Sequence, residues 1–297
     1  MKKVISQLVV CGVGYTGSAI AAAAHAAGFS VTGTARDPTL RRAPDGVTVI
    51  RFEDAGPAIS AATHLLITAG TDEAGDPVLA RHADAVASAL NLRWIGYLST
   101  TGVYGDRDGG WVDEDTPPAP ASARTQRRVD AETAWGGFAA NRPDTNQSVD
   151  IFRVAGIYGP GRSVLDDVRD GTARRTIKPG HAFGRIHRED IARAVVAAMM
   201  QNRGPGVRVL NLTDDEPAES AVVIEEAARL LGIEPPEAVP FAQAWKRMSP
   251  MARSFWGEHR RVASAKTKAM LGIDWLYPSY REGLRAILAE ERRQNPA

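Results

Sequence analysis

The chain predicts an α/β fold, a doubly wound parallel sheet with a smaller C-terminal lobe, and two observations carry that expectation. One is the stretch from Gln7 to Gly28, QLVVCGVGYTGSAIAAAAHAAG, where a short apolar run meets three glycines that open an alanine-rich helix. The other is the pattern beyond Gly28: brief apolar runs separated by stretches of helical periodicity, as strand and crossover helix alternate in a parallel sheet.

Taken in order, Leu8 to Cys11 reads as a buried strand. Gly12 permits the tight turn, Gly14 lets a pyrophosphate approach the backbone, and Gly17 lets the helix pack close to the strand. Around Tyr15 and Thr16 the helix N-terminus turns unsatisfied N–H groups and its positive dipole end toward the phosphates. In this strand, turn and helix setting, G-x-G-x-x-G marks a dinucleotide-binding unit of Rossmann type. Gly28 closes the helix, and Phe29 to Ala35 is a second strand ended by Arg36, Asp37 and Pro38. At the tip of that strand an acid takes the adenosine ribose 2′-hydroxyl, whereas an arginine accommodates a 2′-phosphate. About 18 residues beyond Gly17 the acidic position falls on Ala35, with Arg36 next, which favours NADP over NAD. The alternative is that Asp37 reaches the ribose and Arg36 is merely solvated.

Val47 to Phe52 is a third strand and Thr63 to Ala69 a fourth, joined by a short helix-like link; Gly70 to Pro77 is loop. Val78 to Leu92 has helical periodicity with Leu79, Val86 and Leu90 on one face, and Trp94 to Ser99 is a fifth strand. Ligands of open parallel sheets bind beyond the carboxyl ends of the strands, which gathers Gly12, Arg36, Ala69, Gly70 and Thr100 around one crevice.

A chain of 297 residues, 44% hydrophobic, can bury a large core, and its length suits one core domain plus a lobe. Its 36 basic and 35 acidic residues leave a net charge of +1, with no basic run that would mark a nucleic-acid or membrane surface. A small neutral-to-anionic ligand is the easier partner. The single cysteine, Cys11, excludes an intramolecular disulfide, fits a reducing compartment, and reads as a small buried residue. Lys2 and Lys3 before an apolar run imitate a signal peptide, but the glycines interrupt it, and no stretch of about 18 apolar residues occurs later. The expectation is a cytoplasmic protein, compatible with a homodimer. Histidines 25, 64, 82, 181 and 259 lack ligand spacing and no cysteine pair exists, so a metal site is not expected.

The segment Ser99-Thr100-Thr101-Gly102-Val103-Tyr104-Gly105-Asp106 precedes an acidic, proline-rich loop (VDEDTPPAP) and a helix from about Arg124. Later in the chain stand Arg153, then Ile157-Tyr158-Gly159-Pro160-Gly161, a strand ending in Asn211-Leu212 and a late Leu271-Gly272. Together with the glycine turn, these resemble the extended short-chain dehydrogenase/reductases, the NAD(P)-dependent epimerase/dehydratase group. The resemblance implies a Rossmann domain at 1–161, completed by about 186–213, with 162–185 and 214–297 as the substrate lobe. It also implies a hydroxyl after the fifth strand, here Thr100, and a Y-x-x-x-K pair on the next helix. In that relay the lysine and the cofactor depress the tyrosine pKa, and the phenol trades a proton with a substrate oxygen.

The helix departs from that pattern. Arg124 stands at the tyrosine position and Arg128 at the lysine position, and no tyrosine lies between Tyr104 and Tyr158. Arginine stays protonated, so Arg124 is no general acid. Arg128 is read as keeping the lysine's cationic role beside the nicotinamide ribose, and Arg124 as gripping a substrate carboxylate or phosphate, against the alternative of a solvated arginine face. For the proton, Tyr104 and His187 are the remaining candidates.

Farther on, Ile151 to Gly156 is a sixth strand, Arg162 to Gly184 reads as irregular chain lining a substrate cleft, and Asp190 to Gln201 is a helix with Ile191, Val195, Ala198 and Met199 on one face. Val207 to Leu212 is the last core strand, Glu219 to Leu231 an amphipathic helix closed by Gly232, and Glu234-Pro235-Pro236 a loop. Met248 to Val262, with Phe255, Trp256, Arg253, Arg260 and Arg261, suits a pocket wall for an anionic, partly apolar ligand. Two functions fit these residues: an NADP(H)-using oxidoreductase or epimerase/dehydratase-like enzyme with an altered Tyr/Lys pair, acting on a small anionic or sugar-nucleotide-like substrate, or a non-catalytic NADP(H)-binding sensor.

Overall fold

In chain order the computed structural model shows β1 (Gln7–Cys11), α1 (Tyr15–Ala26), β2 (Ser30–Ala35), β3 (Val47–Arg51), α2 (Gly56–Ala61), β4 (His64–Ile67), α3 (Pro77–Ala87) and β5 (Trp94–Thr100). Next come β6 (Trp111–Val112), α4 (Ala123–Ala140), β7 (Ser148–Val154), β8 (Gly156–Tyr158), α5 (Val164–Arg169), β9 (Thr176–Ile177), β10 (Ala182–Phe183), β11 (Arg185–His187), α6 (Arg188–Met200) and β12 (Gly206–Leu212). The rest is β13 (Ala218–Glu219), α7 (Ser220–Leu231), β14 (Val239–Pro240), α8 (Phe241–Arg247), α9 (Pro250–Trp256), β15 (Arg261–Val262), α10 (Ala265–Leu271) and α11 (Tyr280–Gln294). The structure describes residues 6–40, 43–140, 147–201 and 203–294; Lys2 and Lys3 lie outside them.

Seven strands pair in the order β3-β2-β1-β4-β5-β7-β12, every neighbour parallel. The order reverses beside β1: the chain first moves outward to β2 and β3, then returns to lay β4 on the other side. That reversal opens a crevice at the carboxyl ends of β1 and β4.

The sheet is covered on both sides because its strands are apolar on both sides. Leu8 and Val10 join Leu66, Leu98 and Phe152 against Ile20 of α1 and Val195 of α6. Val9 and Cys11 join Leu65, Ile95, Tyr97 and Ile151 against Ile59, Val86 and Trp135 on the opposite side. Cys11 is fully buried, and burial pushes its thiol up to about 12, so it serves as a small core residue. A separate core joins α5, α7 and α11 through Leu165, Val223, Ile224, Leu284 and Ile287.

Two expectations need correction. The third helix ends at Ala87, and Leu90, beyond it, is 86% exposed. Asp76 caps its start, accepting from the N–H groups of Val78 and Leu79, and His82 leaves helical geometry (φ −129°). The buried face is Val78, His82 and Val86, and the chain leaves the helix at Ser88 before it can reach Leu90. Residues 162–184 are also not irregular throughout. Ser163 and Asp166 form a reciprocal cap that starts α5, and β9 and β10 come after it. By contrast, α6 buries Ile191, Val195, Ala198 and Met199, and α7 ends at the left-handed Gly232 (φ +71°), both as the sequence predicts.

His64, His181 and His187 are each pushed down to about 4, chiefly by burial. An unfolded chain binds these protons near pH 6.5, so between 6.5 and 4 the unfolded state holds more protons than the folded one. Stability should therefore be flat above pH 6.5 and fall as pH drops toward 4. Burial raises Asp190 and Asp214, which act in the opposite sense on this range, so a histidine variant isolates the effect. His187→Asn keeps an acceptor for the Glu189 N–H, and its melting temperature should depend less steeply on pH than that of the wild type. An unchanged slope would contradict the assignment.

Candidate cofactor and substrate site

The glycine turn is held by threonines at the ends of neighbouring strands. Gly12 takes φ +113°, and its N–H donates to Thr34 Oγ1 at 3.1 Å. Thr68 Oγ1 donates to the Cys11 carbonyl at 3.1 Å and to the Gly12 carbonyl, while the Ala69 N–H reaches the Cys11 carbonyl at 3.0 Å. A Cβ on Gly17 would stand 2.1 Å from the Gly12 carbonyl oxygen, so only glycine lets α1 start this close to β1. At Gly14 a Cβ would meet nothing within 4 Å. Gly14 is the N-cap of α1 and gives no side-chain cap. An open backbone approach and an uncapped helix start fit a dinucleotide phosphate.

Tyr15 and Thr16, both half-buried, begin α1, and the Tyr15 hydroxyl donates to the Pro160 carbonyl at 3.1 Å. Ala69 is half-buried and Gly70 exposed, just past β4. Arg36 stands exposed past the end of β2 and makes no hydrogen bond or ion pair among the described residues. Asp37 is otherwise engaged: it accepts from the Thr39 hydroxyl at 2.6 Å and N–H at 3.0 Å, and these bonds hold its carboxyl below the usual range.

At the end of β5, Thr100 Oγ1 accepts from the Gly102 N–H at 3.1 Å, capping a short 3-10 turn at Thr101–Tyr104. That turn carries Tyr104 inward: it is fully buried, its hydroxyl donates to Asn211 Oδ1 at 2.7 Å, and the Arg153 guanidinium lies over its ring. Tyr104 is thereby enclosed, with its hydroxyl engaged by Asn211. His187 caps α6, its Nδ1 accepting from the Glu189 N–H at 3.2 Å.

Arg124, Arg128 and Glu132 succeed one another at single-turn spacing on α4, with different surroundings. Glu132 and Arg153 form a buried ion pair at 2.8 Å, and the Ser99 hydroxyl donates to the same carboxylate at 2.5 Å. Arg128, partly buried, lies over the Tyr97 ring at 4.7 Å and donates to the Leu98 carbonyl, which brings it to the end of β5. Arg124 is exposed and diverges from it, its guanidinium 5.1 Å from the ring of Phe255 in α9. Trp256, beside Phe255, stacks on His181 at 5.4 Å, and Lys178 lies over Phe241 and donates to the Trp256 carbonyl at 2.9 Å. Arg253 and Arg260 are taken up by backbone carbonyls of Trp245 and Gly105. The pocket-wall segment thus divides into an engaged aromatic cluster and the exposed Phe255 with Arg124.

Sequence reasoning missed Thr34 and Thr68, although hydroxyls at the ends of β2 and β4, the strands that flank β1, were a readable signal. It also missed Glu132, whose partner lies on another element.

The sheet order, the glycine turn and the threonine-ended fifth strand give the chain the fold of the extended short-chain dehydrogenase/reductases, that of the NAD-dependent epimerase/dehydratase structures. The chain belongs to the same family as a conserved protein of unknown function from Silicibacter pomeroyi, with 42% identity over 96% of this chain and 99% of that one (TM-score 0.86). MoeE5 in complex with UDP-glucuronic acid and NAD is 20% identical over 97% of this chain and all of its own (TM-score 0.77). The human epimerase family protein SDR39U1 with NADPH is 19% identical over 95% and 99% (TM-score 0.75). Among curated proteins, Protein YeeZ of Escherichia coli is 33% identical over 144 residues, 48% of this chain and 47% of its own. A 3-diazoavenalumate denitrifying reductase of Streptomyces is 30% identical over 192 residues, 58% of each chain. The chain spans about half the length of the curated relatives it matches. No protein-family model matches it. No helix among the described residues is long and apolar enough to cross a membrane.

Proposed function

We propose that the chain is an NADP(H)-dependent oxidoreductase, reductase or epimerase/dehydratase-like, acting on a small anionic or sugar-nucleotide-like substrate. In this reading residues 1–161, completed by 186–213, hold the cofactor, and 162–185 with 214–297 form the substrate lobe. The observation that carries it is the uncapped start of α1 behind Gly14, with Arg36 at the tip of β2 unpaired among the described residues. Similarity to structures holding NAD and NADPH, and to a reductase, supports it.

When bound, the cofactor supplies or accepts hydride at its nicotinamide. Thr100 Oγ1 already accepts from Gly102, so its own proton is free for a substrate oxygen. Arg128 sets a fixed cation at the end of β5. The exposed guanidinium of Arg124 offers a two-pronged grip for a carboxylate or phosphate, with Phe255 as an apolar neighbour. The enclosure of Tyr104 and the two arginines on α4 favour a second reading, a sensor that binds NADP(H) without turnover.

Cofactor choice is testable without a substrate. Arg36→Ala should weaken NADPH by roughly 1.5–3 kcal/mol, as for a charged hydrogen bond, and leave NADH nearly unchanged in a fluorescence titration. Equal weakening of both would sink the assignment.

A further inference from the structure

We propose that Arg162 and Arg188 form a cationic clamp around Tyr15 for the cofactor's diphosphate, supplied by the Gly159–Arg162 loop and the start of α6. The proposal rests on the NADP(H) reading above. Tyr15 is the first residue of α1, and two guanidinium groups crowd its ring: Arg188 Cζ lies 4.6 Å and Arg162 Cζ 5.5 Å from the centroid. Neither makes a hydrogen bond or ion pair from its side chain among the described residues, and Arg188 Nε is buried without a partner. The nearby acids are already engaged. Asp166 accepts from the Ser163 N–H and Arg169, and Glu189 from the Tyr277 hydroxyl. A second donor nearby is also unmet: His187 is 1% exposed, its Nδ1 accepts from Glu189, and its Nε2 has no partner. A Cβ on Gly159 would stand 2.7 Å from the Tyr15 hydroxyl, 3.2 Å from Arg188 Cβ and 3.5 Å from that Nε2. Glycine is what lets the loop enter among these groups.

Two cations held over one ring repel each other, the nearby carboxylates being bonded elsewhere, and the positive end of α1 adds to the same field. An anion in the open space before Gly14 relieves both. A diphosphate suits this arrangement: the N–H groups of the first α1 turn serve one phosphate, and planar guanidinium forks serve the other. Because the diphosphate is common to NADPH and NADH, the clamp differs from Arg36, which addresses the 2′-phosphate alone.

Fluorescence titrations of NADPH and NADH against wild type, Arg162→Gln, Arg188→Gln and the double variant test this, with UDP-glucose as a competing diphosphate. Each single change should weaken both cofactors roughly tenfold and the double change roughly a hundredfold, as for lost charged hydrogen bonds, with a shallower salt dependence. Arg162 is exposed, so its variant should keep the wild-type melting temperature. Wild-type affinity for both cofactors in the double variant would overturn the clamp while leaving the cofactor reading intact. Loss of UDP-glucose binding alone would move the arginines to a substrate diphosphate and equally overturn it. A wild-type protein that binds neither nicotinamide would remove the cofactor reading itself, and the clamp with it.

Discussion

Glu132→Ala should lower the free energy of unfolding by roughly 3–5 kcal/mol, measured by urea or thermal unfolding. Glu132 is the counter-charge of Arg153, and both side chains are nearly inaccessible, at 8% and 5% exposure. Removing the carboxylate leaves a buried guanidinium with, among the described residues, the Tyr104 ring as its partner, and frees the Ser99 hydroxyl. A domain stable by about 5–15 kcal/mol loses a large fraction of that margin. Removing both charges tells the penalty apart from the value of the pair. Glu132→Leu with Arg153→Met should be far closer to wild type, because desolvating the ion pair costs about as much as its attraction returns. A mild Glu132→Ala variant would show that water reaches the pair and that α4 is not fixed to β5 and β7 through it.

Thr100→Ala should lower turnover on the order of a hundredfold while cofactor affinity stays unchanged, if its hydroxyl holds the substrate oxygen. The same change removes the acceptor for the Gly102 N–H, which would cost about 1 kcal/mol of stability, as at a helix cap. Thr100→Ser separates the two roles because it keeps both acceptor and donor. Turnover rescued by serine assigns the loss to the hydroxyl. Equal turnover in all three proteins would make Thr100 a cap and nothing more.

The strand–turn–helix half around the glycine turn was legible because its determinants are local. Gly12, Gly14 and Gly17 act within one turn, and the strand–helix alternation has its own period. The failures came where the decisive contact is distant or the backbone breaks its period. Leu90 fits a helical face only if the helix runs on to reach it, and α3 ends at Ala87. Tyr104 is four residues from Thr100, yet a 3-10 turn sends it to Asn211 on the far edge strand, a pairing 107 positions apart that no local pattern announces. Glu132 and Arg153 are likewise separated by 21 positions and meet only when α4 packs on β7. The single-turn spacing of Arg124 and Arg128 could be read directly, but their divergence could not, because it depends on Phe255 and Tyr97 on other elements.

In the function proposed above, the site beyond β5 transfers hydride with NADP(H). Its most direct test is single-turnover oxidation of protein-bound NADPH, tracked by its near-ultraviolet absorbance, against small carboxylate-bearing carbonyl compounds and sugar nucleotides, in wild type and Thr100→Ala. We expect at least one acceptor to consume bound NADPH in the wild type, and the variant to bind NADPH equally well but react about a hundredfold more slowly. Tight NADPH binding with no consumption by any acceptor would contradict the claim and leave the protein a binder of the cofactor.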